Sequence, residues 1–104
     1  MVAPPGGYQL ALSEQAIEQR AALENSDPRR FKKVQKALRF LKQNPAHPGL
    51  RAHKFNPLRG QAPGGGDIWE AYVENDVASA WRIFFYFDRA KPGVIFVASI
   101  EPHP

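Results

Sequence analysis

The segment from Trp81 to Phe87 constrains the fold of this chain more than any other part. Its side chains alternate as they do along a β-strand, yet both faces of that strand are largely apolar. One face would carry Trp81, Ile83, Phe85 and Phe87, and the other Arg82, Phe84 and Tyr86. Such a strand is most stable in the middle of a sheet, where both faces can be covered. We therefore expect it to be a central strand, with one face on the helices and the other partly covered or used.

A strongly amphipathic helix precedes the main sheet segments. Asp27 is a good N-cap, Pro28 suits the first helical position, and Pro45 disfavours helical geometry at Asn44. These signals predict a helix from Pro28 to Gln43. Its large apolar residues recur at helical spacing and would share the face that packs on the sheet: Phe31, Val34, Leu38 and Leu41.

An N-terminal strand and a first helix are also predicted. The alternation of residues 8–12 indicates a short strand, and Ser13 is a candidate N-cap for a helix that ends near Glu24. The apolar positions of this helix, Ile17, Ala21 and Leu23, form only a thin stripe. Because few residues separate the two helices, we expect them to form an antiparallel hairpin. Residues 1–7, which contain two prolines and two glycines, are interpreted as a flexible arm.

The remaining segments predict an α+β fold with one domain over residues 8–104. Strands are expected at 67–73, 80–87 and 94–100, with connections short and polar enough for hairpins. We expect the helical hairpin to pack on this antiparallel meander, in a sheet that is antiparallel throughout and includes the N-terminal strand. Residues 44–66 contain four prolines and five glycines and are predicted to be a long irregular loop, a kind of segment that is often functional.

Composition excludes several classes of site. The chain has no cysteine, so a disulfide scaffold, a thiolate zinc site and a cysteine nucleophile are ruled out. The three histidines are not spaced as a metal site, and we expect no metal to bind. No apolar run is long enough to span a membrane, and residues 1–7 lack the features of a signal peptide. We therefore expect a cytoplasmic protein without a membrane partner.

Positive charge is concentrated in one part of the chain. Residues 28–59 contain ten Lys and Arg and no Asp or Glu, although the net charge is only +4. Such a segment attracts a polyanion or an acidic protein, and RNA is our preferred target. The candidate RNA-binding residues are Arg29, Lys32, Lys33, Lys36, Arg51 and Arg59. The alternative is a solvated helix face without a binding role.

Arg82 is the residue whose position most requires explanation. Burial of an unpaired arginine on a central strand is costly, so Arg82 needs either a carboxylate partner or a ligand. Glu70, on the preceding strand, is the candidate partner. Tyr86 would lie on the same strand face as Arg82, roughly 13 Å away.

Three segments resemble the RelE/ParE superfamily of toxin–antitoxin toxins. Residues 44–54 (NPAHPGLRAHK) are similar to the loop that follows the second helix in many RelE-like proteins. Residues 69–73 (WEAYV) and 81–86 (WRIFFY) resemble their paired central strands, in which an arginine begins an apolar run. Residues 95–104 are similar to the closing strand, and the resemblance covers nearly the whole chain from Tyr8 onward.

This resemblance implies a ribonuclease that acts on mRNA at the ribosome and is silenced by an antitoxin. Such enzymes use no metal or cofactor, and the ribose 2′-hydroxyl attacks the adjacent phosphate, which requires a base, an acid and cationic stabilisation. Arg82 matches the strand arginine of the family, His53 and Lys54 match basic residues near the loop end, and His103 resembles a terminal-strand histidine. Glu70 and Tyr86 complete the candidate catalytic set.

Each of these residues also has a structural interpretation. His53 can be a surface histidine, Lys54 a non-specific phosphate contact, Glu70 a structural partner of Arg82, and Tyr86 a packing residue. His47, between Ala46 and Pro48, is expected to cap a turn. The same scaffold also occurs in ParE-like proteins that act on DNA gyrase, so the alternative function is a non-catalytic module that docks on gyrase or another protein.

Overall fold

The computed structural model describes residues 4–104, in which Asp27 separates two helices, α1 (Glu14–Ser26) and α2 (Pro28–Gln43). The Ser13 hydroxyl accepts a hydrogen bond from the Ala16 N–H at 2.9 Å, and the Asp27 carboxylate accepts one from the Arg30 N–H at 3.1 Å. These bonds satisfy N–H groups that have no partner within the helix. Both predicted N-caps and the end of α2 are therefore confirmed, and α1 extends slightly past Glu24.

Within the described residues, five strands form one sheet in the order β1-β5-β4-β3-β2. The strands are β1 (Gln9–Leu12), β2 (His53–Lys54), β3 (Trp69–Tyr72), β4 (Trp81–Phe87) and β5 (Val94–Pro102). Strands β3, β4 and β5 form the predicted antiparallel meander, with β4 in the centre.

Strand β1 pairs with β5 in parallel, so the expectation of a fully antiparallel sheet was wrong. Parallel neighbours need a long crossover connection, and both helices together with β2, β3 and β4 lie between β1 and β5 in the chain. The sheet is therefore mixed.

The loop predicted over residues 44–66 contains a strand that the sequence did not indicate. Strand β2 pairs antiparallel with β3, between 3₁₀ turns at Pro48–Leu50 and Asn56–Leu58. Two residues are too few for alternation to be recognised. The strand nevertheless holds His53 directly opposite Glu70.

The main core lies between the helices and one face of the sheet. Val34, Leu38 and Leu41 are buried there with Ile83 and Phe85, and half-buried Phe31 packs at the margin. The predicted core face of α2 is therefore confirmed. In α1 the buried residues are Ala16 and Leu23, whereas Ile17 is 48% exposed and Ala21 is also exposed, so the predicted stripe was wrong at these two positions.

The opposite face of the sheet is covered in part by residues 55–68. Phe84, on β4, is buried with Ala62 and Ile68, and Phe55 packs against them. This arrangement confirms that the second face of the central strand is partly covered. A groove beside β5 remains open on this face.

Residues 1–3 of the predicted arm lie outside the described part of the chain. Pro4 and Gly7 close a turn through a 2.8 Å backbone hydrogen bond, after which the Tyr8 N–H donates to the Lys42 carbonyl at 2.7 Å. Gly7 has a φ of +81°, and a Cβ there would lie 2.5 Å from the Lys42 oxygen, so glycine permits this close passage beside α2. Within residues 4–104, neither helix has the length and apolar character needed to cross a membrane.

Candidate active site

Glu70 lies at the centre of three basic side chains on the sheet face opposite the helices. Its Oε2 is 2.8 Å from His103 Nδ1, and its Oε1 is 3.3 Å from His53 Nε2 and 3.5 Å from Arg82 Nε. The carboxylate is only 2% exposed. Burial of such a group is stable only with partners, and Glu70 has three. We refer to Glu70, Arg82, His53 and His103 as the Glu70 cluster.

The sheet brings these four residues together from four parts of the chain. Strand β2 places His53 opposite Glu70, and Arg82 is two residues before Phe84, the partner of Glu70 on β4. His103 follows β5 and is held by a 2.8 Å hydrogen bond from its N–H to the Ala80 carbonyl. A residue next to the end of the sequence is thus given a defined position.

Arg82 is mostly buried, and its guanidinium is oriented by several contacts. Its Nη1 donates to the carbonyls of Glu74 at 2.6 Å and Trp81 at 3.1 Å, and its Cζ lies 3.7 Å from the centroid of the Tyr72 ring. Nε faces Glu70 as an ion pair without hydrogen-bond geometry. Nη2 makes no hydrogen bond to any residue among 4–104 and is the nitrogen left for a ligand. The expected contact between Arg82 and Glu70 is confirmed.

His103 and His53 differ in which ring nitrogens face protein acceptors. His103 Nδ1 faces the Glu70 carboxylate, an arrangement that places the proton on Nδ1 and leaves the Nε2 lone pair free. His53 Nδ1 lies 2.8 Å from the Arg51 carbonyl while Nε2 faces Glu70, so both of its nitrogens face acceptors. These proton positions are assigned from the partners. Both side chains are about half exposed, at 45% and 50%.

Tyr72 was not recognised as a site residue from the sequence. It lies opposite Arg82 on β3, and the Arg51 guanidinium approaches the same ring at 5.7 Å. His53 meets the Tyr72 ring edge-on at 6.1 Å. Period-two alternation from Glu70 places Tyr72 on the same strand face, and this signal could have identified it.

Glu74 connects the Glu70 cluster to helix α2. Its carboxylate lies 3.1 Å from Arg30 Nε and 3.3 Å from Lys33 Nζ, and its carbonyl is the 2.6 Å acceptor of Arg82. Burial opposes ionisation of this carboxyl, but the hydrogen bond from the Trp81 N–H and the contacts with Arg30 and Lys33 outweigh it. These interactions hold the pKa of Glu74 below its usual range.

Two of the residues predicted to be catalytic do not join the Glu70 cluster. Lys54 lies opposite Trp69 on the helix side of the sheet, and its Nζ pairs with Asp67 at 3.2 Å. A hydrogen bond from the Gly60 N–H and the contact with Lys54 hold the pKa of Asp67 below its usual range. Adjacent residues of a strand point to opposite faces, so His53 and Lys54 cannot both face Glu70.

Tyr86 lies farther along β4, beyond Phe84, and stacks on Phe96 with ring centroids 5.1 Å apart. Burial, together with the negative charge of Asp88, raises the pKa of the Tyr86 phenol. This shift favours the protonated phenol.

The six candidate RNA-binding residues lie on helix α2, beside Tyr72 and in the loop over residues 55–68. Arg29, Lys32, Lys33 and Lys36 lie on α2, where all four are exposed, and Lys33 is paired with Glu74. Arg51 is exposed beside Tyr72, near the Glu70 cluster, and Arg59 lies within residues 55–68, which cover another part of the same sheet face. Lys33, Lys36 and Tyr72 line a cleft of about 310 Å³ at the end of β3.

His47 has the structural role expected from its neighbours. Its Nδ1 accepts a 3.0 Å hydrogen bond from the Gly49 N–H, and its ring stacks on Phe40 with centroids 3.9 Å apart. It caps the turn at Pro48–Leu50 and takes no part in the Glu70 cluster.

Comparison of the sequence with family models and with curated proteins gave no match. Several solved protein structures, however, have a fold similar to that of this chain. A YoeB/ParE toxin from Agrobacterium tumefaciens superposes with a TM-score of 0.68 at 11% identity, over 92% of this chain and 99% of the other. The toxin–antitoxin complex YoeB–YefM from Staphylococcus aureus gives 0.64 at 20% identity, over 93% and 98%. The chain has the RelE/ParE-like toxin fold.

A variant of YafQ from E. coli has the same RelE/ParE-like fold, with a TM-score of 0.61 at 12% identity over 92% of this chain and 93% of the other. Identities this low establish the fold alone, because one scaffold can carry unrelated activities. The chemistry must therefore be argued from the Glu70 cluster.

Proposed function

We propose that this protein is the toxin of a toxin–antitoxin pair and cleaves mRNA at the ribosome as a metal-independent endoribonuclease. The observation that supports this function best is the pairing of His103 with Glu70. A buried carboxylate orients the imidazole through Nδ1 and leaves Nε2 free to exchange a proton with a ligand. Carboxylate–imidazole pairs of this kind orient general bases in several enzyme classes.

In the proposed reaction the ribose 2′-oxygen forms a bond to the adjacent phosphorus, and the bond from phosphorus to the 5′-oxygen breaks. His103 Nε2 takes the proton of the 2′-hydroxyl. The leaving 5′-oxygen takes up a proton, and His53, half exposed beside Glu70, is the proposed donor. Arg82 Nη2 supplies positive charge to the phosphorane. The products are a 2′,3′-cyclic phosphate and a 5′-hydroxyl.

The test is cleavage of a ribosome-bound mRNA by the purified protein. Cleavage should leave 2′,3′-cyclic phosphate ends and should disappear when the nucleotide at the cleavage position is replaced by its 2′-deoxy analogue. Cleavage that continues on the deoxy substrate would rule out attack by the 2′-hydroxyl. If the wild-type protein does not cleave ribosome-bound mRNA, the ribonuclease proposal is wrong.

A small antitoxin protein is the proposed partner, and the YoeB–YefM complex from Staphylococcus aureus supports it because a similar fold is bound there by an antitoxin. We propose that the pair acts in the cytoplasm. A neighbouring open reading frame that encodes a small protein is the first candidate to express. Its product should co-purify with this chain and suppress mRNA cleavage when present in equal amount.

The alternative is a non-catalytic module that docks on gyrase or another protein through its aromatic sheet face. The structure offers less support for this function, because residues 55–68 cover Phe84 in the middle of that face. A wild-type protein that fails to cleave mRNA but binds gyrase would favour the alternative.

A further inference from the structure

A groove of about 220 Å³ lies on the sheet face opposite the helices, beside the Glu70 cluster. The residues that line it are mainly apolar and include Phe55, Ile68, Phe84 and Pro104, together with two polar side chains, Ser99 and Glu101. Phe55 also meets the His103 ring edge-on at 6.4 Å. The groove therefore opens directly beside the imidazole that is proposed to exchange a proton with RNA.

A β-bulge in β5 directs Ser99 into this groove. Phe84 pairs with Ser99, but the next residue, Phe85, pairs with Val97, so Ala98 is the extra residue. Without the bulge, alternation from Ile95 and Val97 would point Ser99 into the main core. With it, Ile100 takes the core position and Ser99 faces the groove. Bulges that redirect a side chain in this way are frequent beside active sites.

Neither polar group of the groove has a partner within residues 4–104. Ser99 is 92% buried, yet its hydroxyl makes no hydrogen bond to a described residue. The Glu101 carboxylate forms no ion pair within 4.0 Å among them, although Glu101 lies opposite Arg82 in the strand register. Glu101 is only partly buried and the Ser99 hydroxyl still reaches the groove, so both groups are available to a ligand there.

The negative charge of Glu101 restricts what that ligand can be. A carboxylate repels the phosphate groups of RNA and accepts, but does not donate, hydrogen bonds. A group bound beside it must therefore present donors. The aromatic and aliphatic walls suit a flat ring, since single-stranded RNA is often bound by stacking of bases on aromatic side chains and by hydrogen bonds to the base edges.

Among the four RNA bases, guanine has two adjacent donors on its pairing edge, N1–H and the N2 amino group. Adenine and cytosine present a donor next to an acceptor, and uracil presents one donor between two carbonyls. We propose that the groove binds a guanine next to the reacting phosphate, with Glu101 accepting both donors and Ser99 bonding to the base. This proposal rests on the ribonuclease function and gives it a base preference.

Binding can be measured without cleavage by using short 2′-O-methyl oligouridylates that carry one central guanosine, inosine or uridine. Inosine lacks only the N2 amino group of guanosine. At low salt, fluorescence anisotropy should give the guanosine oligonucleotide an affinity about tenfold higher than that of the inosine oligonucleotide. This is the effect expected for one good base contact. Equal affinity for the three oligonucleotides, or no binding of any of them, would overturn the proposal.

Two variants distinguish the contribution of the Glu101 carboxylate in the groove from the general effect of removing a negative charge. Glu101→Ala should abolish the preference for guanosine, whereas Glu18→Ala, which removes an exposed carboxylate from α1, should retain it. Thermal unfolding shows whether the Glu101→Ala variant is folded. If that variant is unfolded, the binding measurement uses Glu101→Gln, which keeps the shape of the side chain but not its charge. A guanosine preference that survives the loss of the Glu101 carboxylate contradicts the assignment.

The two proposals can fail independently of each other. Selective binding of guanosine by a protein that does not cleave ribosome-bound mRNA contradicts the ribonuclease and leaves the base site intact. Cleavage by a protein that binds all three oligonucleotides equally contradicts only the guanine site.

Discussion

His103 Nδ1 lies 2.8 Å from Oε2 of Glu70, and this contact joins a residue near the end of the sequence to a strand 33 positions earlier. The carboxylate is buried and the imidazole is half exposed. Glu70 is therefore held in a fixed position, whereas the His103 side chain is accessible to solvent. Such a division suits a proton carrier whose orientation must be maintained.

His103→Ala should lower ribosome-dependent mRNA cleavage by at least about 100-fold, the usual effect of losing a general base or acid. The backbone bond to Ala80 does not require the imidazole, but the change also removes the closest partner of the buried Glu70 carboxylate, so thermal unfolding is measured beside cleavage to show that the variant is folded. His47→Ala is the matched control, since His47 caps a turn outside the Glu70 cluster and its loss should leave the cleavage rate unchanged. Cleavage by His103→Ala at the wild-type rate would remove His103 from the mechanism.

Arg82→Ala should destabilise the protein as well as impair cleavage. The change leaves Glu70 without one of its charged partners in a buried position, which typically costs about 3–5 kcal/mol. Urea denaturation measures this loss, with exposed Arg39→Ala as the control. Arg82→Lys keeps the charge but not the two carbonyl contacts of Nη1, so it should recover only part of the stability. A loss no greater than that of Arg39→Ala would show that the buried pair is not stabilising.

Glu74 should make stability depend on pH in the acidic range. Its pKa in the folded protein is depressed, so its contribution is fully present above the ordinary glutamate pKa of about 4.3 and is lost as the pH falls through the lower folded value. Glu74→Gln should be less stable than the wild type at neutral pH, and this difference should shrink on acidification. Exposed Glu24→Gln serves as the control for denaturation curves recorded across this range. A difference that does not change with pH would contradict the assignment.

RNA binding should weaken as salt is added. If about four phosphates are neutralised, the log–log slope of affinity against salt concentration should be near −3 for a single strand. Replacement of Lys32 and Lys36 by Gln should make the slope shallower, whereas Lys91→Gln, in the exposed turn before β5, should not. A slope near zero for the wild-type protein would mean that the basic residues of α2 contact only solvent and do not bind RNA phosphates.

Leu38→Ala should cost about 2–5 kcal/mol of unfolding free energy, because the side chain is 6% exposed and its removal leaves a cavity between α2 and the sheet. Ile17→Ala, on the exposed side of α1, should change stability by about 0.5 kcal/mol or less. Denaturant midpoints compare the two directly. Equal losses would contradict the burial that distinguishes these positions.

The helices and the central strand were predictable because their signals are local. Asp27, Pro28 and Pro45 act on the backbone within a few residues, so both ends of α2 followed from the sequence. Alternation along Trp81–Phe87 likewise depends only on strand geometry. The interpretation of Glu70 as the partner of Arg82 required only two neighbouring strands and the cost of an unpaired buried charge.

Other features depended on contacts between distant parts of the chain. The parallel pairing of β1 with β5, the addition of β2 to the sheet edge and the bulge at Ala98 are decided by which strands pack side by side. The register of β2 directs His53 toward Glu70 and Lys54 away from it, a choice that two residues cannot encode by themselves. The amino-acid sequence alone thus determined the two helices, the longer strands and the residue types available for chemistry. Only the tertiary structure decided which of them meet, because strand register and packing are set by contacts across the whole chain.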